Sequence, residues 1–177
     1  MAKSNPYELD VVSIRLKKDY AIISENPITS AEDAVKLLRE ILSELDREVI
    51  CVINLKTNGT PINCHFVSMG CLNNALAHPR EILKAGILSN AASMILAHNH
   101  PSGEISPSRE DALLTKRMAQ ACKLIGIPLL DHVIIGANNE NYFSFLNNGL
   151  LEATRDDDYD YQIIKMEVKE PYKGRGR

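Results

Sequence analysis

Three short apolar runs, at residues 49–53, 92–97 and 129–135, constrain this chain more than any other feature, because stretches of helical patterning separate them. Runs this short and this rich in β-formers read as buried strands. Between the strands, apolar residues recur at helical spacing. Val35, Leu38, Ile41, Leu42 and Leu45 mark a first helix that begins near Ala31, capped by Thr29 or Ser30, with Glu32 and Asp33 in its acid-favouring first turn. Pro79 opens a second helix, with Ile82, Leu83 and Ile87 on its apolar face. Ser106 and Pro107 read as cap and first residue of a third, which runs to about residue 124 and stops at Gly126. The pair Asn58-Gly59 predicts a hairpin back into a strand at 62–67. Weaker strand signals stand at 11–16, continuing to 20–23, and at 142–146. The pattern predicts an α/β domain with a mixed sheet flanked by helices.

Composition narrows the function classes. A chain of 177 residues suits one compact domain with a tail. A net charge of −3 gives no electrostatic case for nucleic acid, so a DNA partner has no support from charge. Cys51, Cys64, Cys71 and Cys122 form no Cys-x-x-Cys pair and read as reduced, mostly buried thiols. The polar N-terminus has no apolar signal core, and no apolar run approaches the ~20 residues a membrane span needs. A cytoplasmic protein without a membrane partner is expected. The layout predicted is an N-terminal strand segment at 1–28, the main domain at 29–151, and a partly disordered C-terminal extension at 152–177. That extension holds Asp156, Asp157, Asp158 and Asp160, a basic end at 173–177, and an edge-strand signal at 163–168 that could pair between chains in a homo-oligomer.

The chemistry concentrates after the strand at 92–97, in a His98-Asn99-His100-Pro101-Ser102-Gly103 string that reads as a loop by composition. Side chains at i and i+2 of a strand end project to the same side, so His98 and His100 can reach one metal ion. Asp111, about one turn into the next helix, can point back at the same spot. Two histidines and a carboxylate are a common catalytic zinc set that leaves a fourth position for water. Such a site needs a general acid/base, and Glu48 at the start of a buried strand is the candidate. Ser108 could donate to a developing oxyanion, or simply help cap the helix. Asp131 and His132 could orient a ligand or make a plain core hydrogen bond. His65 and His78 read as structural.

His98-x-His100-Pro101, six residues, Ser108, two residues and Asp111, with Glu48 upstream, resembles the JAMM (MPN+) metalloprotease motif in residue types and spacing. The strings at 97–103, at 78–81 and at 130–136 are similar to the bacterial RadC branch, over roughly residues 29–151. The resemblance implies a cytidine-deaminase-like α/β sandwich and one Zn2+. It implies His98, His100 and Asp111 as ligands, Glu48 as acid/base and Ser108 as oxyanion helper. Its wider relatives cleave peptide or isopeptide bonds, so a zinc hydrolase acting on a peptide or protein substrate is expected. The alternative is a DNA-associated accessory protein whose metal site is structural or vestigial. RadC proteins usually carry an N-terminal helix-hairpin-helix segment, and none is expected in the residues before Thr29. Deaminase chemistry is not expected. Its signature puts a glutamate two residues after the histidine, where this chain has His100, and adds a Pro-Cys-x-x-Cys pair that is missing.

Overall fold

A computed structural model describes residues 9–69, 77–137 and 141–151. It contains helices α1 (Ala31–Leu42), α2 (Pro79–Leu88) and α3 (Arg109–Ile125), and strands β1 (Val49–Leu55), β2 (Pro61–Met69), β3 (Ser93–His100), β4 (Leu129–Gly136) and β5 (Tyr142–Ser144). The strands form one sheet in the order β2-β1-β3-β4-β5. It is mixed as expected: β3 and β4 run parallel, and the other neighbours are antiparallel. The parallel pair is the one whose connection is a helix, α3, long enough to return the chain to the same end of the sheet.

Each face of the sheet packs on helices. Leu38, Leu42, Cys51, Ile53, Ala97 and Val133 belong to the core under α1. Val52, Ile82, Leu96, Met118, Leu129 and Ile134 belong to the core under α2 and α3. Odd and even positions of β1 and β3 thus serve opposite layers. This is why those runs lack polar alternation. The Asn58-Gly59 hairpin forms as expected, with Gly59 at φ +78°. The amide of Ile28 donates to Gly59 O at 2.9 Å, which anchors the entry to α1. Ser30 caps α1 in a reciprocal pair with Asp33.

Several elements differ from expectation. Residues 11–16 and 20–23 form no strand, and Val11, Ile14 and Ile23 stand 98%, 73% and 84% exposed. β-forming side chains do not by themselves make a ladder, and no pairing with the sheet is made by this stretch. Residues 16–24 instead line a 780 Å³ cleft beside β2. The third helix starts two residues late, after Ser108 rather than at Pro107, because Ser108 and Asp111 form a reciprocal cap. Ser106 is instead drawn to Glu104, whose Oε1 accepts from its amide and hydroxyl. β3 runs through His100, carried by pairing with β4 as far as His100 opposite Gly136, so the loop begins only at Pro101. The last strand, expected over 142–146, ends at Ser144, and turns occupy residues 145–149. Among the cysteines, Cys51 and Cys122 are buried and Cys64 is half-buried. Cys71, the acidic run, the 163–168 strand signal and the basic end lie outside the described residues. Among the described residues no helix is long and apolar enough to cross a membrane.

Candidate metal centre

The C-terminal end of β3 meets the N-terminus of α3, and Glu48, His98, His100 and Asp111 come together there. Each offers one ligand atom, and these atoms all lie within 4.8 Å of one another. Strand alternation puts His98 and His100 on the α3 face. Asp111 occupies the third position of α3, where the helix dipole favours a carboxylate. Glu48 arrives through register. Ile50 pairs antiparallel with His98 at the end of the ladder, and the same register carried two residues beyond it sets Glu48 opposite His100.

Hydrogen-bond directions reveal what the cluster presents. His100 Nδ1 lies 2.7 Å from the carbonyl of Glu104, which can only accept. The proton of neutral His100 therefore sits on Nδ1, leaving a lone pair on Nε2. A longer relay acts on His98. The Thr115 hydroxyl donates to the carbonyl of Asp111 at 2.7 Å, so it must accept from His132 Nδ1 at 2.6 Å. Neutral His132 then has a lone pair on Nε2, which lies 2.8 Å from His98 Nδ1. His98 Nδ1 donates there, and its Nε2 is bare. Phe145 stacks on the His132 ring with centroids 4.9 Å apart, fixing its plane.

Two bare imidazole nitrogens thus face each other at 3.0 Å, with Asp111 Oδ1 at 3.2 Å from His98 Nε2. Ser108 holds the other carboxylate oxygen, Oδ2, by its amide at 2.7 Å and its hydroxyl at 2.6 Å, so Oδ1 points at the imidazoles. The Ser108 hydroxyl also accepts from the Asp111 amide at 3.1 Å and caps α3. A tetrahedral zinc with bonds of about 2.0–2.1 Å separates its ligand atoms by about 3.3 Å. The spacings of 3.0 Å between the two imidazole nitrogens and 3.2 Å from His98 Nε2 to Asp111 Oδ1 lie close to that value. The donor chemistry fits a divalent cation.

Titration behaviour reflects the crowding. Burial raises the Glu48 carboxyl above its ordinary range, and the negative charge of Asp111 adds to this. Burial pushes His98 down to about 4 and His132 well below the usual imidazole range. Hydrogen bonding to Asp111 raises His100. For Asp111 burial alone would raise the pKa, but His100, His98 and Ser108 together hold it far below the usual carboxylate range.

The Asp131-His132 pair divides its work between the two layers. His132 touches His98, whereas Asp131 is drawn to the end of β5 and accepts from the amide of His132, Ser144 Oγ and the amide of Leu146. His78 caps α2 through its Nδ1, a structural role as expected. Four residues with a clear part in the geometry went unread in the sequence: Thr115, Asn99, Glu104 and Phe145. Thr115 lies one helical turn after Asp111, a spacing that carries the signal in retrospect.

A family model for the RadC-like JAB domain matches residues 28–150. A UPF0758 protein of Rubrobacter xylanophilus is 46% identical over 133 residues, covering 73% of this chain and 57% of that protein. UPF0758 proteins of Desulforamulus reducens and Clostridium acetobutylicum are 46% and 45% identical, over 70% and 76% of this chain and 54% and 58% of their own lengths. The chain thus spans a little over half the length of these curated relatives. With the strand-borne histidine pair, the capped aspartate and the matched span in agreement, the chain belongs to the RadC-like JAB domain family.

Proposed function

We propose that this domain is a zinc-dependent hydrolase that cleaves an amide bond of the peptide or isopeptide type. One observation carries the reading: three lone-pair atoms, His98 Nε2, His100 Nε2 and Asp111 Oδ1, converge with the imidazole protons committed elsewhere, beside the Glu48 carboxyl, whose pKa burial raises. Such a cluster suits a dication, and two imidazole nitrogens with a carboxylate oxygen suit zinc. Bound zinc would supply a Lewis acid and bring the pKa of a water down to about 7.

The remaining work falls to the chain. Glu48 lies within reach of the converging atoms, and among the described residues nothing hydrogen-bonds its carboxylate oxygens, unlike those of Asp111. Glu48 takes a proton from the attacking water and returns it to the leaving amine. Its raised pKa favours that shuttle, since an ordinary carboxylate is too weak a base near neutrality. Ser108 supports the site through Asp111. To donate to a substrate oxyanion, its single proton must first leave Asp111 Oδ2.

The test is Glu48→Gln against wild type, scored by mass spectrometry on peptide and lysine-isopeptide libraries. The variant keeps one zinc per chain and loses about 10²–10⁴-fold in turnover, the usual contribution of a general acid/base. Zinc-loaded wild type that cleaves nothing in either library, or full turnover by Glu48→Gln, rejects the proposal.

A further inference from the structure

The residue between the two histidines faces away from them. Asn99 lies on the α1 side of β3, opposite the face that carries His98 and His100, and is 1% exposed. Its amide does not serve the metal cluster. Its Oδ1 accepts from the amide of Val49 at 2.8 Å, and its Nδ2 donates to the carbonyl of Arg47 at 3.0 Å. These are the backbone groups on either side of Glu48. On the β3 side the ladder of β1 begins at Ile50 opposite His98, and on the other side Val49 pairs with Met69 of β2, so the backbone of 47 and 48 lies just beyond the last paired residues. A side chain takes over where the ladder stops. It holds the one residue whose carboxylate must stand opposite His100.

We propose that Asn99 is a positioning residue that fixes Glu48 against the metal centre by clamping its two flanking peptides from behind the sheet. The proposal rests on Glu48 being the acid/base of the centre. A carboxylate is useful there only within about 0.5 Å of its working position, and a chain held only at its Val49 end leaves the backbone of 47 and 48 free to rotate. Two bonds of opposite polarity, one to an N–H and one to a C=O, remove that freedom. Only an amide side chain supplies both from one planar group; aspartate supplies the accepting half alone.

The experiment uses cobalt in place of zinc and reads where Glu48 stands, independently of turnover. Carboxyl-13C-glutamate is incorporated into wild type, Asn99→Ala and Asn99→Asp, and the Glu48 resonance is identified by its loss in Glu48→Gln. In wild type, Co2+ shifts this resonance strongly. In Asn99→Ala cobalt stoichiometry is unchanged and the shift falls by about twofold or more, because the carboxylate moves away. Asn99→Asp, keeping the bond from Val49, falls between the two and guards against poor folding of the alanine variant. An unchanged shift in both variants overturns the clamp. So does loss of cobalt from them, which would tie Asn99 to the ligands instead. Wild type that takes up no cobalt sinks the hydrolase reading itself, so the two failures are separable.

Discussion

Replacing Thr115 with valine tests the relay behind His98. The two side chains have nearly the same shape, so the change removes a hydroxyl and little packing. Thr115 is 3% exposed, and water cannot take its place without rearrangement. The hydroxyl accepts from His132 Nδ1 at 2.6 Å, and without it that N–H is buried and unpaired, at a cost of about 1–3 kcal/mol. His132 can escape by moving its proton to Nε2. That proton then faces His98 Nδ1 across 2.8 Å, and His98 must carry its own proton on Nε2, the atom that faces Asp111 and His100. The cost therefore appears either as lost stability or as lost metal affinity. Loss of such supporting contacts typically weakens metal binding 10–100-fold, or about 1.4–2.8 kcal/mol, the same size as the unpaired N–H. Urea unfolding of the metal-free protein and zinc competition against a chelating dye measure the two terms. For Thr115→Val their sum is expected at about 1–3 kcal/mol, with Thr115→Ser close to wild type. A valine variant that matches wild type in both assays refutes the hydrogen-bond directions assigned to the relay.

Two further outcomes follow from the centre. His98→Ala removes the most buried nitrogen of the cluster, so elemental analysis should find about one zinc per wild-type chain and only background in the variant. The metal-free protein should lose stability on acidification from about pH 7 to pH 4. The unfolded chain protonates His98 near its ordinary 6.5, whereas the folded chain resists until about 4, so stability rises with pH across that window, by about 3 kcal/mol for this group. His100, raised in the folded state, acts with the opposite sign. Urea unfolding across the range, with His98→Gln as control, should show the slope flatten in the variant.

What was legible in the sequence was local. Ser30 with Asp33, the proline at the start of α2 and Gly126 after α3 each act within a few residues, and each stands where the spacing places it. The histidine pair was readable for the same reason, since alternation along one strand suffices to put both on one face. The rest depends on sheet register. His132 reaches His98 because Leu96 pairs with it in a parallel ladder, a relation between residues 36 apart that no spacing along the chain announces. Glu48 was found by its motif-like place, but what fastens it, Asn99, reads as mere loop filler until the strand is seen to continue through His100. The stretch at 11–16 erred in the other direction. Its side chains favour a strand, but favour is not a partner, and exposure of Val11 at 98% marks the difference.

The position of β3 explains why the cluster can be built at all. It is the central strand, with β1 on one side and β4 on the other. The antiparallel neighbour delivers Glu48 to its C-terminal end, and the parallel neighbour delivers His132 behind His98. The parallel crossover also returns the chain through α3, whose N-terminus carries Asp111 onto the same end. The outcome is two carboxylates and two neutral imidazoles held together largely out of water, an arrangement short of positive charge. Protons answer part of that shortage: Glu48 and His100 both shift toward holding them. The Ser108 contacts and the Thr115–His132 relay work against this answer by keeping Asp111 ionised and His98 Nε2 bare. Groups that stabilise acceptors at a point already poor in positive charge are costly in a scaffold and useful in a receptor for a dication, whose two charges balance the two carboxylates.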